Sequence, residues 1–300
     1  MSEPIPFVRD MTFEYGEVDE LSPLVRRVIA HNPSPFTYTG TGTYIIGRGK
    51  VAIVDPGPSD EDHVAAVLKA VEGETITHVL VTHTHSDHSP GCRILARSTD
   101  APTYAFGPHG SGKAAQGIVV DEGGDMDFDP DFRVDDGDVI EGDGWTVECL
   151  HTPGHTSNHI CFGLREESAL FSGDHVMGWS TSIVSPPDGD MGDYLRSLHK
   201  LLGREDLHYW PTHGPRVDGP RRLVRAFIEH RRARDAQILA CLGDNVREIR
   251  EMVPRMYQGV ATALYPAAAR SVLAHLVEMV ADGRVGCEGE PQVDSEYWLR

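Results

Sequence analysis

The sequence predicts a mixed α/β domain over residues 1–218 and a mostly helical domain over residues 219–300. Three observations lead there. Short apolar runs alternate with stretches of helical period through the earlier part of the chain. From about Pro220 the texture changes to long helical patterns. The composition, 40% hydrophobic and 24% charged over 300 residues, is that of a globular chain able to bury a core without disulfides.

The elements follow in order. Thr43-Tyr44-Ile45-Ile46 and Val51-Ala52-Ile53-Val54, separated by Gly47-Arg48-Gly49-Lys50, read as a hairpin. Ser59, three residues before Asp62, is the expected start of a helix in which Val64, Leu68 and Val71 recur at helical spacing. Residues 76–82 form a continuous apolar stretch, as a buried strand would. Further strands are expected at 102–106, 145–150, 159–164 and 169–172, and an amphipathic helix at 193–202. Helices at 221–242, 245–252 and 267–281 and a short strand or turn at 283–286 complete the reading.

Charge and cysteine usage narrow the function. Twenty-seven basic against 46 acidic residues give −19, which opposes a broad grip on nucleic acid or an anionic membrane. No run approaches the length of a membrane span. The five cysteines are scattered without a Cys-x-x-Cys, and Met1 to Asp10 carries no apolar signal segment, so the expectation is a cytoplasmic protein with reduced thiols.

The sixteen histidines carry the chemistry. In Thr82-His83-Thr84-His85-Ser86-Asp87-His88, residues at i and i+2 of a strand end point the same way, so His83 and His85 can grip one ion. Asp87 and His88, on the following turn, can bend toward a second. Imidazole and carboxylate without thiolate suit a catalytic Zn²⁺ with an open position. Chance would produce this pattern in about half a percent of chains with such composition, so it is not accidental. Three other segments, each after an expected strand, can complete the ligand sets. They are His151-Thr152-Pro153-Gly154-His155-Thr156-Ser157-Asn158-His159, Ser172-Gly173-Asp174-His175 and Pro211-Thr212-His213-Gly214-Pro215.

The order His-x-His-x-Asp-His, Gly-His-Thr, Ser-Gly-Asp and a late Thr-His-Gly-Pro resembles the metallo-β-lactamase superfamily of binuclear metal hydrolases. It is similar to the glyoxalase II branch and, more closely, to the β-lactamase-like protein 2 family. The closer resemblance extends through Gly173-Asp174-His175-Val176, Trp179-Ser180-Thr181, Asp193-Tyr194-Leu195, His230-Arg231-Arg232 and Gln237-Ile238-Leu239. It implies an αββα sandwich followed by a winged-helix-like domain. It implies one metal held by His83, His85 and His155, a second by Asp87, His88 and His213, and Asp174 bridging both. Asp55 matches an acid that braces a ligand histidine through its second nitrogen. His151 and His159 are then supporting or packing residues, and His175 points away from the metals.

Other conspicuous segments carry plainer readings. Residues 121–143 hold eleven acids and one arginine and are expected to be a solvated surface segment, since a calcium-loop pattern is lacking. Phe106-Gly107-Pro108-His109-Gly110-Ser111-Gly112-Lys113 fails the phosphate-loop spacing and is read as a rim of the site. Arg221, Arg222, Arg225, Arg231, Arg232 and Arg234 are expected on a solvated helix face, linked to Glu229 and Asp235.

Two cations (zinc, with Mn²⁺ or Fe²⁺ also compatible) would make hydroxide available near neutral pH to attack an acyl carbon or phosphorus, with Asp87 orienting it. The expected function is hydrolysis of an ester or thioester of a small acyl substrate. The alternative, implied by the closer resemblance, is a single-strand RNA endonuclease. A non-catalytic metal-binding module is disfavoured because both ligand sets are complete.

Overall fold

A computed structural model describes residues 4–116 and 123–300. Among these residues the strands form two large sheets and one small ribbon. The first sheet runs in chain order through β1 (Val18–Glu20), β2 (Val25–Ile29), β3 (Gly42–Ile46), β4 (Lys50–Val54), β5 (Thr75–Leu80), β6 (Thr103–Ala105) and β7 (Phe132–Arg133). It is antiparallel up to β4 and parallel from β4 onward. The second sheet holds β8 (Val139–Glu141), β9 (Thr146–His151), β10 (Ile160–Leu164), β11 (Ala169–Gly173), β12 (His208–Pro211) and β13 (Val217–Asp218). Its single parallel contact joins β11 to β12.

Strand alternation separates the layers. Tyr44, Ile46, Ala52 and Val54 face inward and meet Val147, Phe162, Phe171, Trp145 and Trp210 from the second sheet. Their neighbours Ile45, Val51 and Ile53 face outward, against Val64 and Val67 of α1 (Glu61–Ala70) and Leu95 of α2 (Gly91–Leu95). On the opposite side Leu150, Cys161, Leu170 and Tyr209 pack under α3 (Met191–Leu202) and the first half of α4 (Arg221–Gly243). The architecture is an αββα sandwich, as the resemblance implied.

The remaining helices, α5 (Ile249–Met256) and α6 (Tyr265–Ala281), join the far end of α4 and a ribbon of β14 (Val285–Cys287) and β15 (Tyr297–Leu299) in a separate apolar cluster. The expected boundary at residue 218/219 falls in the turn between β13 and α4.

Several expectations are corrected. The first helix is capped by Asp60, not Ser59, because the Asp60 carboxylate accepts the Asp62 and His63 N–H groups. The helix expected at 245–252 spans Ile249–Met256, after an αL turn at Asn245 (φ +63°). The basic run is not one solvated face. Arg221, Arg222, Arg225 and Arg232 are exposed, but Arg231 is buried, and Arg234 lies over the Tyr257 ring and donates to the Met256 carbonyl. Asp235 bonds His275 and Arg284 and not the arginines of the run. The described acids of the segment are exposed, with one exception: buried Asp125 accepts from Ser89 and Arg93 just after the histidine-rich turn. Asp121 and Glu122 lie outside the described residues.

Candidate metal centre

Four strand ends converge where the two sheets meet. The turn after β5 brings His83, His85, Asp87 and His88; the loop after β9 brings His155; β11 ends before Asp174; β12 ends before His213. The edges are pinned together by a β-bridge between Thr41 and His213 and by the Tyr44 hydroxyl donating to the Pro211 carbonyl at 2.6 Å.

Two trios of ligand atoms result. Nε2 of His83 lies 3.0 Å from Nδ1 of His85, which lies 3.1 Å from Nε2 of His155. In the second trio, Oδ2 of Asp87 lies 3.6 Å from Nε2 of His88 and 3.2 Å from Nε2 of His213. Asp174 stands between the trios: its Oδ2 is 3.7 Å from His155 Nε2, 3.7 Å from His88 Nε2 and 3.4 Å from His213 Nε2.

The opposite ring nitrogens fix which atom faces inward. His88 donates from Nδ1 to Oδ2 of Asp55 at 3.0 Å. His155 donates from Nδ1 to the Ile183 carbonyl at 2.6 Å, and His213 to the Gly40 carbonyl at 3.2 Å. Thr82 Oγ1 donates to Asp55 and so accepts from Nδ1 of His83 at 3.1 Å. Nε2 of His83, His88, His155 and His213 therefore turns into the site.

Electrostatics divide the two halves. Burial and the neighbouring His88 hold His83 well below its ordinary pKa; burial and His85 bring His155 to about 4. Both are neutral bases, as cation ligands must be. Burial would raise Asp174 and Asp87, but His213 and His88 outweigh it, and both stay ionised. Reciprocally, burial disfavours charge on His88 and His213, yet Asp87 and Asp174 raise His88 to about 9 and His213 well above 6.5.

The donor set fits divalent cations. Clustered imidazole nitrogens about 3 Å apart, with buried Asp174 and half-buried Asp87 beside them, call for positive charge between them. Nε2 of His88 and Oδ1 of Asp174 are buried with no hydrogen-bond partner among the described residues, as atoms awaiting a ligand would be.

Every metal-site residue expected from the sequence is brought here. His151 and His159 are outside the trios. His151 stacks on Phe106 and donates to the Ser157 carbonyl. Nε2 of His159 accepts the Asp174 backbone N–H at 3.2 Å, steadying that acid. The His175 ring packs against His159 and Tyr194, away from both trios. In the segment read as a rim, the Gly107 and Pro108 carbonyls accept from the Asn158 side chain. Sequence reasoning missed Thr82 and Thr212, whose hydroxyls both donate to Asp55. The signal was present: each stands directly before a histidine of the trios in a repeated Thr-His pair.

Residues 38–213 match the Metallo-beta-lactamase superfamily, and residues 249–297 match the Beta-lactamase associated winged helix domain. The chain is 32% identical to the Beta-lactamase-like protein 2 homolog of Caenorhabditis elegans, over 94% of this chain and 92% of that protein. It is 34% identical to the Atrochrysone carboxyl ACP thioesterase of Claviceps purpurea, over 79% of this chain and 71% of that one. In fold it resembles a Beta-lactamase domain protein from Burkholderia ambifaria, with TM-score 0.79 and 21% identity over 97% of this chain and 96% of that one.

Proposed function

The chain belongs to the metallo-beta-lactamase superfamily of metal-dependent hydrolases, and we propose that it holds two divalent cations and cleaves a thioester or ester of a small acyl substrate. His83, His85 and His155 would hold one cation, Asp87, His88 and His213 the other, and Asp174 both. Residues 1–218 are read as the hydrolase unit and residues 219–300 as the helical unit. The observation that carries the two-cation reading is Asp174 Oδ2, within 3.7 Å of nitrogens from both trios.

Zinc is the cation we favour, with manganese or iron also matching nitrogen and oxygen donors. Two such cations, when bound, supply a nucleophile from water near neutral pH and stabilise charge developing on the acyl oxygen. Asp87 is the half-open carboxylate of the second trio, 23% exposed, and its low pKa keeps it able to accept a hydrogen bond from the attacking water. Tyr38 stacks on Trp179 beside Gly214, the residue after His213, and Ile183 is exposed next to His155. These apolar surfaces suit an acyl chain. A thiolate leaving group needs little help from an acid, and the Claviceps relative is named as a thioesterase.

One observation favours the RNA alternative: exposed Arg221, Arg222 and Arg225, without ion-pair partners among the described residues, line a cavity of about 460 Å³. Assay of acyl thioesters, oxygen esters and unstructured RNA across a salt series separates the readings. Thioester turnover with a shallow salt response is expected. Each arginine engaged on a single strand adds about −0.7 to the slope of log affinity against log salt. Steep salt dependence with RNA cleavage and no acyl hydrolysis would overturn the thioester reading.

A further inference from the structure

Helix α4 sends one side chain into the catalytic half. Arg231 is 3% exposed, and no carboxylate pairs with it among the described residues. Its Nη2 donates to the Ser182 carbonyl, its guanidinium carbon lies 5.2 Å from the Tyr194 ring centroid, and its Nε finds no partner among the described residues. Burying a cation among neutral partners, with no carboxylate against it, is unfavourable, so packing alone gives no reason for an arginine here.

What it touches supplies one. Ser182 directly precedes Ile183, whose carbonyl takes the Nδ1–H of His155 at 2.6 Å. Tyr194, facing the guanidinium, donates its hydroxyl at 3.0 Å to the carbonyl of His175, the residue after Asp174. Tyr194 also presses on Gly154, the residue before His155 (φ +139°), where an added Cβ would sit 2.3 Å from the Tyr194 Cα. One arginine and one tyrosine thus grip the backbone beside two residues of the metal centre.

We propose that Arg231 and Tyr194 are positioning residues of the metal centre. Arg231 holds the Ser182 peptide so that Ile183 can orient His155, while Tyr194 holds the residue after Asp174 and the residue before His155. The inference rests on the reading of those residues as cation ligands. It makes the helical segment a working part of the site and corrects the expectation that Arg231 lies on a solvated face.

The test uses the full chain with Arg231→Met, Arg231→Lys and Tyr194→Phe. The readouts are zinc affinity by chelator competition, the visible spectrum of the cobalt-loaded protein, thermal unfolding, and the imidazole Nδ1–H resonance of His155 in metal-free protein. Arg231→Met is expected to unfold at or above the wild-type temperature, because a buried unpaired charge is gone. Its zinc affinity should nonetheless fall about 10- to 100-fold, with an altered cobalt spectrum and loss of the His155 resonance. Arg231→Lys, which can still donate to Ser182, should recover most of the loss. Wild-type affinity, spectrum and resonance in Arg231→Met would overturn the proposal. If Arg231→Met does not fold, Tyr194→Phe decides: about a tenfold loss of affinity supports the clamp, and no loss overturns it. A wild-type chain that binds no zinc overturns the metal reading instead, and the His155 resonance then decides the clamp alone.

Discussion

Oδ2 of Asp55 lies 3.0 Å from Nδ1 of His88, and the same oxygen accepts the hydroxyls of Thr82 and Thr212. Asp55 reaches all three from a left-handed backbone, φ +49°, a conformation costing a side-chain-bearing residue about 1 kcal/mol or more. One carboxylate therefore sets the tautomer of His88 and ties together the strand ends that deliver His83 and His213.

Asp55→Asn keeps the shape and removes the charge that holds the Nδ1–H of His88. Affinity for the cation of the second trio should fall about 10- to 100-fold. Competitive zinc titration checks this; unchanged affinity would show that Asp55 only shapes the turn.

About two metal ions per chain are expected, because the seven candidate ligands fall into two trios, with Asp174 close to both and grouped with His83 and His88, and cannot all serve one ion. His155→Ala and Asp174→Ala should abolish hydrolysis and lower metal content. His151→Ala should leave metal content near normal, since His151 spends its ring on Phe106 and the Ser157 carbonyl. Elemental analysis of the three variants reads the outcome, and metal loss confined to His151→Ala would reverse the assignment.

The candidate metal centre was legible because its residues come as short strings after strands: the His-x-His-x-Asp-His run, the Gly-His-Thr, the Ser-Gly-Asp. What was hidden depends on long-range contacts. Strand β2 escaped notice because Val25-Arg26-Arg27-Val28-Ile29 places two arginines in a fully buried strand. They are tolerated because Glu74 and Asp19, distant or across a turn, pair with them, and the Ala70, Gly47 and Gly214 carbonyls accept from them. Arg231 read as surface for the same reason: nothing local in a helix full of arginines announces that one of them meets Tyr194 and Ser182. The cap at Asp60 was missed by one residue, the usual uncertainty where two capping side chains stand side by side.

Gly173→Ala should be costly at a site with no bulky neighbour in sequence. Gly173 has φ +51°, and a Cβ there would come within 2.5 Å of Nε2 of His159, the atom that accepts the Asp174 N–H. Strain and displacement together should remove about 2 kcal/mol of stability and loosen Asp174. Urea unfolding and metal content should fall together; a variant with wild-type values in both would show that the turn relaxes freely.

Acid should weaken the fold through His63. Burial lowers its pKa from 6.5 to about 4, against a smaller opposing pull from Asp60. A depressed folded pKa means the unfolded chain binds the proton first. The contribution is therefore complete above pH 6.5 and is lost as pH falls toward 4. Between pH 7.5 and 5 the loss from this residue is about 2 kcal/mol, at 1.36 kcal/mol per pH unit. His63→Gln, which can still bond Thr43, should show a correspondingly flatter dependence in urea unfolding at the two pH values. Equal slopes in variant and wild type would count against it.

The meeting of the two sheets at Thr41 and His213 has a mechanical consequence. Cations bound there would be gripped by the turn after β5 on one side and by the ends of β11 and β12 on the other, so the ions themselves would fasten one half of the sandwich to the other. An unfolding machine pulling on the C-terminus would have to rupture coordination bonds before the second sheet could slide from the first. Yielding and ion release would then be one event, at a force that a chelator in the bath should lower.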